Sequence, residues 1–523
     1  MILQFDQSPT LYWFIGYGLA FLLVLGWWKL PEKHKFSFLT VGVFLLVLWM
    51  RLPILVFNQE IDPDESQMLG HAITLKSNPI YWKYVDAHTI GPLTSYVLVL
   101  PSWLGFALDY TAARVMGLLF MLGSLFFFIR SVHQVVRDSS AWILLFPLVF
   151  FLAFTQEGDF VHYSSEQLAL FIFNVALWLY LRQASHPKPT YWFLLGFFLG
   201  ILPFCKLQVV PIGFVIGFFA LGRAYLSVAR WRAVLYLIAG AFGFPVLAMV
   251  WLMYQGLVDD FWTFYIQGNL IYADGQGGLL QSLSHAILFL ESSPHFALYL
   301  VSLIPFFVVG VKSLKNSMEF WLAVGMVIAA YFSIIKTGNI FPHYLNLMLY
   351  PLTFLATLVG YKSVKARGML GGIWIYLLWV GGLIYQIVAD QPLNTYVSTD
   401  TAVPISPVAE LILKYAAPPD RLTIWGWRGK YHVETQMPQG AAEAHTERCI
   451  FEHPLQQAYY QRFLRDLHEK QPKIFVDAVG PRGMWVQNRT TQGHEAFPEL
   501  RDWIATHYDF IGEVDYTRVY VRK

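Results

Sequence analysis

The chain has 523 residues, of which 56% are hydrophobic, 17% aromatic and only 13% charged. Because soluble domains carry about 25% charged residues, this composition excludes an ordinary soluble protein, a disordered chain and a fibrous one. A formal net charge of +2 gives no basic excess for binding nucleic acid, and two distant cysteines exclude a disulfide framework and a cysteine-based metal site.

Apolar segments long enough to cross a bilayer recur along the first 389 residues. A membrane-spanning helix needs about 20 mostly apolar residues, with a range of roughly 17–25. The first segment lacks the basic start and the small-residue cleavage site of a signal peptide, so we expect it to be a retained helix. We predict twelve spans, near residues 11–28, 38–57, 111–130, 141–155, 165–182, 191–204, 207–222, 233–254, 296–311, 319–335, 342–360 and 370–389.

Residues 91–108 are apolar but contain Gly91, Pro92 and Pro101. Counting them as a span would place Arg130 and Arg137 on the same side as the acidic loop that precedes them. We therefore predict that this segment is a helix lying at the membrane interface.

With that assignment the basic residues sort to one side, as the positive-inside rule requires. The opposite loops hold only Lys76, Lys83, Lys206 and Lys336, with Arg114 at a helix start. Both termini and the loop 58–110 are then predicted to be extracytoplasmic, and a bacterial inner membrane is the expected location. The loops predicted to be cytoplasmic contain fifteen basic residues: Lys29, Lys33, Lys35, Arg130, Arg137, Arg182, Lys188, Arg223, Arg230, Arg232, Lys312, Lys315, Lys362, Lys365 and Arg367.

The uneven distribution of charge predicts two domains. Residues 390–523 hold 32 of the 70 charged residues, so we predict a membrane domain over 1–389, with the outer loop 58–110, and an extracytoplasmic α/β domain over 390–523. Its pattern predicts helices at 406–416, 454–470 and 499–508, and strands at 421–427, 473–479 and 517–523. This order suggests a small Rossmann-like sheet, without the glycine fingerprint that binds nucleotides.

The sharpest chemical feature is the sequence Asp62-Pro63-Asp64-Glu65, directly after a span. Like-charge repulsion makes such a cluster costly unless it binds a cation or retains a proton, and the alternative is a helix N-cap with solvated charges. Lys83 and His88 follow in the same loop. Cationic and acidic groups beside a membrane suit a lipid-linked phosphate substrate.

The Asp-x-Asp spacing of Asp62 and Asp64 also occurs in soluble glycosyltransferases that hold a metal and a nucleotide sugar. Sugar nucleotides are cytoplasmic, whereas this loop is predicted to lie outside. An enzyme acting there needs a donor already carried across, such as a polyprenyl-phosphate sugar. Such a reaction requires a carboxylate to take the acceptor proton and positive charge to meet the leaving phosphate.

Further candidates lie in the other outer segments. The loop 156–166 holds four residues, Glu157, Asp159, His162 and Glu166, that can bind substrate or a divalent cation such as Mg or Mn, or be ordinary polar loop residues. Lys206, between two short spans, either contacts phosphate or extends to the interface. Arg51, inside a span, marks either a functional site or an internal ion pair.

Together these residues resemble the GT-C superfamily of membrane glycosyltransferases, in particular bacterial protein O-mannosyltransferase and aminoarabinose transferase-like proteins. The chain departs from the family where His88-Thr-Ile-Gly-Pro replaces the usual basic or His residue before the Pro-Leu helix. The matching features are Arg51, Asp64-Glu65, Gly91-Pro92-Leu93, Arg114, Glu166, Lys206, Pro342-His343-Tyr344-Leu345 and the tail segment RLTIWGWRGKYH.

The resemblance implies a polytopic helical GT-C-like fold and an inverting sugar transfer from a polyprenyl-phosphate donor. The acceptor is then a glycan, a lipid or a protein. Asp64 takes the role of base with support from Glu65, and the phosphate is met by Lys206, Arg114, His88, His343 and Lys83. Asp62, Asp159, His162, Glu166 and Tyr344 are expected at the acceptor or a metal, while metal dependence stays open.

Two other classes of function are compatible with a polytopic chain. A transporter or flippase of lipid-linked substrates often shows two related halves and broken helices near the bilayer midplane, whereas the polar residues here gather in loops on one side. An inactive scaffold for envelope assembly is the second. Replacing Asp64 by Asn distinguishes an enzyme from both classes, because an enzyme should then lose sugar transfer while folding and lipid binding stay intact.

Overall fold

The computed structural model describes residues 9–137, 141–273, 293–310, 317–339, 341–389, 391, 393–396 and 402–523, with backbone alone at 309–310 and 362–371. The chain divides into two compact units. The helical unit comprises Met1–Phe57, Gly117–Met249 and Ala273–Thr399, and the mixed unit comprises Asn58–Met116, Val250–Tyr272 and Asp400–Lys523. The mixed unit thus combines the predicted outer loop with the predicted tail domain.

Apolar helices dominate the first 389 residues, and they lie at the twelve predicted positions. Within the described ranges, eight helices are long and apolar enough to cross a membrane: Pro9–Lys29, Glu32–Val56, Tyr110–Val135, Ser165–Ser185, Leu207–Leu226, Arg230–Gln255, Met318–Ile335 and Pro342–Tyr361. Four are shorter: Ala141–Phe154, Pro189–Cys205, Pro294–Val308 and Gly372–Val388. Exposed Phe14, Phe214 and Leu247 illustrate the outward apolar surface that suits lipid rather than water. The chain is an integral membrane protein.

The last two apolar segments belong to one helical run, Asn346–Val388. A straight helix of 43 residues would be about 65 Å long. Yet His343, before the run, contacts Asp159, and the carbonyl of Leu393, after it, accepts a hydrogen bond from Gln156. Because both ends lie beside residues 156–159, the run goes out and returns as two antiparallel arms, in agreement with the two predicted spans.

Contacts within the helical unit separate its two ends. At one end Glu157 binds the backbone N–H of His295 at 2.8 Å, and the same end holds Asp159, Glu166 and their partners. At the other end Arg223 pairs with Glu319 at 2.5 Å. The predicted outer polar residues of this unit therefore gather at one end, and the basic Arg223 lies at the other. Lys312 and Lys315 lie outside the described residues.

The outer loop of the mixed unit begins with the helix Pro63–Ser77, as predicted from its acidic start. Residues 92–103 form three short helical segments, Pro92–Tyr96, Val97–Val99 and Leu100–Trp103. Twelve helical residues rise about 18 Å, too short to cross a bilayer. Trp103, Leu104 and Phe106 are exposed after them, which suits the predicted interfacial placement.

The second segment of the mixed unit, 250–272, continues from the helix that ends at Gln255. It forms Val258–Asp260, a π-helical turn at Phe261–Gln267 and Gly268–Ala273. The helices of the third segment are Pro407–Leu413, Lys430–Thr435, Glu447–Ile450, Gln456–Lys470, Arg489–Gln492, His494–Ala496 and Pro498–His507.

A four-stranded sheet forms the centre of the third segment. Its strands are β1 (Leu422–Trp425), β2 (Ile474–Asp477), β3 (Tyr508–Val514) and β4 (Thr517–Arg522), in the order β1-β2-β4-β3. Strands β1 and β2 are parallel, with Leu422 opposite Ile474. Side chains alternate between two cores, so that Phe475 packs with Phe463 on one face while Val476 packs on the other.

The predicted Rossmann-like sheet is correct only for the β1–β2 pair. Strand β4 pairs antiparallel with both β2 and β3, and β3 is a strand that the sequence analysis missed. Asp515 and Tyr516 both have positive φ, 50° and 61°, the conformation of a two-residue hairpin turn. Neither is glycine, so the turn lacks the usual sequence signal, and the missed hairpin makes the sheet mixed rather than parallel.

A buried ion-pair cluster joins the outer loop to the tail inside the mixed unit. Arg462 contacts Asp86 at 2.5 Å and Glu443 at 2.8 Å. The backbone N–H of Asp86 also donates to the carbonyl of Ala442 at 2.7 Å. One guanidinium thus compensates two buried carboxylates, which explains why segments distant in sequence form one unit.

Candidate functional site

Lys206 occupies a break between two helices of the helical unit. The helix Pro189–Cys205 ends at it, Leu207 begins the next, and its backbone is extended (φ −163°, ψ 122°). Its ammonium contacts the carboxylate of Glu166 and donates to the Ser165 hydroxyl at 2.7 Å. Glu166 is fully buried and Lys206 is 5% exposed. The break therefore places a buried cation against the first turn of the helix Ser165–Ser185.

His343 joins the same cluster from the short helix Pro342–Leu345. Its Nδ1 lies 3.1 Å from Asp159 Oδ1, and its backbone N–H donates to that oxygen at 3.2 Å. Its Nε2 is 3.9 Å from Glu166 Oε1. The ring of His162 lies edge-on at 6.0 Å, and the ring of Tyr344 lies 5.1 Å from the Lys206 ammonium.

The structure thus brings together six of the predicted site residues of the helical unit. Asp159 and Glu166 supply two carboxylates, Lys206 supplies one fixed positive charge, and a protonated His343 would supply a second. We call the set Asp159, His162, Glu166, Lys206, His343 and Tyr344, with Ser165, the lysine cluster. Lys206 uses two of its three N–H donors in the described contacts, so one donor remains for a ligand.

Asp159 is a titratable group of the lysine cluster that lies outside the spanning helices. Burial favours its neutral form, but the hydrogen bond and charge of His343 outweigh burial and hold the pKa of Asp159 below its usual value. Asp159 is therefore ionised at neutral pH, and it orients the His343 ring with Nδ1 toward itself and Nε2 toward Glu166.

In the mixed unit, Asp62 and Glu65 have structural partners. Asp62 is the N-cap of Pro63–Ser77 and accepts the N–H of Asp64 at 2.9 Å. Glu65 is fully buried and receives two hydrogen bonds from Arg114, from Nε at 2.8 Å and from Nη2 at 2.6 Å. Asp64 is only half-buried in the first turn. The N-cap interpretation is thus correct for Asp62, and Asp64 is the less involved in the helix start of the two carboxylates named for catalysis, since Glu65 is bound by Arg114.

Arg114 is also engaged on a second side. Its Nη2 donates to the carbonyl of Gln59 at 2.6 Å, and the guanidinium lies 5.5 Å from the centre of the Tyr110 ring. At 3% exposure, it offers a ligand little surface. Through these contacts Arg114 holds the start of the helix that carries Asp64 in place.

A cavity of about 260 Å³ lies near the same helix start. Burial raises the pKa of Glu60 on its wall, against the hydrogen bond from Ser66 at 2.5 Å and nearby cations. The hydroxyls of Ser66 and Tyr110 are 2.9 Å apart, so the wall offers a connected polar network. The cavity is lined by Gln59, Glu60, Tyr110, Val403, Pro404, Ile405, Ser406, Lys430 and Glu434.

The structure places Lys83 and His88 away from the start of that helix. Lys83 is exposed, with its ammonium 5.7 Å from the Tyr84 ring centre. His88 is buried beside two tail residues, His445 and Glu447. Sequence reasoning missed those two because no spacing rule links them to residue 88, and it missed Ser165 because a lone serine carries no signal.

Arg51 is buried at 3% exposure within the helix Glu32–Val56. Its Nη2 donates to the carbonyl of Leu152 at 2.6 Å. Among the described residues no carboxylate pairs with it, so the ion-pair interpretation of Arg51 is wrong for that part of the chain.

The fold is similar to a solved membrane protein. ArnT from Cupriavidus metallidurans, in its apo state, superposes with a TM-score of 0.54 at 13% sequence identity, over 93% of this chain and 98% of that one. No protein-family model and no curated protein matches the chain. The chain therefore has the GT-C-like membrane fold that the resemblance implied, with a small C-terminal sheet.

Proposed function

We propose that the chain is a membrane glycosyltransferase. It moves a sugar from a polyprenyl-phosphate donor to an extracytoplasmic glycan, lipid or protein, with inversion at the sugar. The lysine cluster is the observation that carries this proposal, because it gathers a buried ammonium, a hydroxyl and a histidine at one end of a GT-C-like helical unit. These are the groups that a lipid-linked phosphate requires.

The donor phosphate binds in the lysine cluster by replacing contacts that Lys206 and His343 make with carboxylates. A phosphate oxygen takes the remaining N–H of Lys206 and weakens its contact with Glu166, while His343 donates from Nε2. Asp159 holds the ring of His343 through Nδ1 at 3.1 Å, so that Nε2 is the nitrogen turned toward Glu166 and the phosphate. The positive charge is thus kept compensated by Glu166 and Asp159 until a phosphate arrives, which limits the cost of burying it.

Asp64 is the base. It accepts the proton of the acceptor hydroxyl as that oxygen forms a bond to the sugar C1 on the face opposite the phosphate. The bond from C1 to the phosphate oxygen breaks, and its electron pair leaves with polyprenyl phosphate. Glu65 cannot take this role because both of its oxygens already accept hydrogen bonds from Arg114.

Arg114 acts through Glu65 rather than on the phosphate. Its two hydrogen bonds fix Glu65, the third residue of the helix, and so fix the backbone that presents Asp64. Asp62 fixes the same turn from its other side as N-cap. We assign both to positioning of the base.

The proposed function is tested by identifying the glycosylated product in cells. Mass spectrometry of the envelope fractions of a strain with the protein, a strain without it and a strain carrying Asp64→Asn should show one glycan, glycolipid or glycoprotein lacking a sugar in the last two. Identical glycans in all three strains would refute the proposal. Equal membrane levels of the wild-type and variant proteins are the control.

A further inference from the structure

Three metal-ligating side chains meet inside the mixed unit. His88 of the outer loop lies beside His445 and Glu447 of the tail, and their ligand atoms all lie within 4.8 Å of one another. His445 Nδ1 is 3.3 Å and His88 Nε2 is 4.0 Å from Glu447 Oε2. Neither the base nor the lysine cluster uses any of these atoms.

Several polar atoms of this group are poorly satisfied by the protein. In the part of the chain that the structure describes, both ring nitrogens of His88 are buried without a hydrogen-bond partner, and His445 Nδ1 and Glu447 Oε2 face each other at 3.3 Å without a well-formed hydrogen bond. His88 is 4% and His445 is 3% exposed. A buried polar group without a partner costs about 1–3 kcal/mol, so several in one place point to a ligand that they share.

The backbone of His88 is held in an unusual conformation. Its φ is +56°, a left-handed value that non-glycine residues rarely adopt. Asp86 accepts its N–H at 3.0 Å and Asn269 donates to its carbonyl at 3.2 Å. The surrounding residues therefore stabilise a strained backbone that presents this imidazole to the other two ligands.

The two tail ligands are also oriented by neighbours. The His445 ring stacks on Trp427 with centroids 3.9 Å apart and planes 3° apart. Glu447 Oε1 lies 3.3 Å from Arg448 Nε, which leaves Oε2 facing the histidines. Such outer contacts are typical of metal sites, where they fix the orientation of each ligand.

We propose that His88, His445 and Glu447 bind Zn²⁺. Two imidazoles and one carboxylate are a ligand set that zinc accepts in tetrahedral sites, with metal–ligand distances of about 2.0–2.2 Å. Around a tetrahedral ion these distances place the ligand atoms roughly 3.4 Å apart. His445 Nδ1 and Glu447 Oε2 are already 3.3 Å apart, and His88 Nε2, at 4.0 Å from Glu447 Oε2, needs only a small shift. Magnesium and manganese prefer oxygen ligands, so they suit this group poorly.

The ion joins two segments of the mixed unit. It ties the outer loop at residue 88 to the tail at residues 445 and 447, next to the ion-pair cluster of Asp86, Arg462 and Glu443. Three protein ligands leave the fourth position to water. The inference stands apart from the proposed sugar transfer, because it concerns residues to which that reaction assigns no step.

The test is metal binding by the purified full-length protein in detergent. After EDTA treatment and dialysis against Zn²⁺ alone, elemental analysis should find one zinc per chain, and Co²⁺ in its place should give the visible absorption of a tetrahedral N/O site. His88→Gln and Glu447→Gln should each lower zinc affinity at least 10-fold. His453→Gln is the matched control, because the ring nitrogens of His453 already bind the backbone at Arg448 and Leu455.

Stability gives a second readout. Zinc should raise the unfolding temperature of the wild type and of His453→Gln, and the increase should disappear in His88→Gln and Glu447→Gln. If one of the two variants fails to fold, the cobalt spectrum and the zinc content of the other variant test the zinc site. Zinc content below one-tenth per chain in the wild type, or equal zinc binding by all four proteins, would overturn the proposal.

Discussion

The ammonium of Lys206 lies against the carboxylate of Glu166, and both side chains are buried at one end of the helical unit. Two charges removed from water are tolerated only as a pair, because an isolated ion at that depth is costly. The sequence contains no signal for this contact, since Glu166 lies on one helix and Lys206 in the break that follows another.

This pair predicts a distinctive pattern of stabilities. Lys206→Ala leaves Glu166 buried without its cation and should cost about 3–5 kcal/mol, whereas Lys206→Ala combined with Glu166→Gln should cost much less. The measurement is the unfolding temperature of the single and double variants in detergent, analysed as a double-mutant cycle. Additive losses would show that the two residues do not interact.

The base assignment predicts a selective loss of transfer. Asp64→Asn should lower kcat by about 10²–10⁴-fold, with unchanged unfolding temperature and donor binding, since Asp64 is half-buried. Glu410→Gln is the matched control, because Glu410 is an exposed carboxylate in the first turn of Pro407–Leu413 in the same unit. An active Asp64→Asn enzyme would refute the role of Asp64 as base.

Arg114 should behave as a positioning residue. Arg114→Ala should lower stability by about 3–5 kcal/mol, because the buried carboxylate of Glu65 loses both hydrogen bonds from the guanidinium. Its kcat should fall while the KM for the donor stays near that of the wild type, and Arg114→Lys should restore part of both losses. A large rise in donor KM with little change in stability would instead indicate direct contact with phosphate.

Buried histidines predict a loss of stability in acid. Burial lowers the pKa of His71 to about 3 and that of His432 to about 4, from an ordinary value near 6.5. Between these values and 6.5 the unfolded chain binds the proton and the folded one does not, so stability falls as pH decreases below about 6.5.

The effect is measured on His432→Asn. Between pH 5.5 and 4.5 its stability should depend less on pH than that of the wild type, by up to about 1.4 kcal/mol per pH unit. Above pH 7.5 the difference between the two proteins should be constant. Identical slopes in acid would contradict a neutral His432 in the folded state.

The orientation is testable by cysteine labelling, because both native cysteines, Cys205 and Cys449, are buried. Glu410→Cys and Lys188→Cys place a thiol at exposed positions on the sides that the distribution of basic residues predicts as extracytoplasmic and cytoplasmic. A membrane-impermeant maleimide added to intact cells should label only Glu410→Cys. Labelling of Lys188→Cys alone would show that the chain has the opposite orientation in the membrane. A lipid-linked donor would then no longer be required.

The spanning helices could be predicted from sequence because each needs only a long apolar run, and the N-cap role of Asp62 follows from its local sequence. The hairpin of β3 and β4 could not, because Asp515 and Tyr516 adopt positive φ without glycine. The residues of the lysine cluster were named individually, but their contacts depend on how separate helices pack. The partners of His88 were missed for the same reason, since only tertiary structure brings Glu447 to it.

Release of polyprenyl phosphate from a sugar donor is the reaction that distinguishes a glycosyltransferase from a transporter. Vesicles containing the purified protein are supplied with polyprenyl-phosphate-linked sugars and a bacterial envelope extract as the source of acceptor, and the lipids are analysed by mass spectrometry. We expect free polyprenyl phosphate and a glycosylated acceptor of inverted anomeric configuration with the wild type, and neither with Asp64→Asn. Donor that crosses the membrane with its sugar–phosphate bond intact, and no glycosylated acceptor, would contradict the account and identify a transporter.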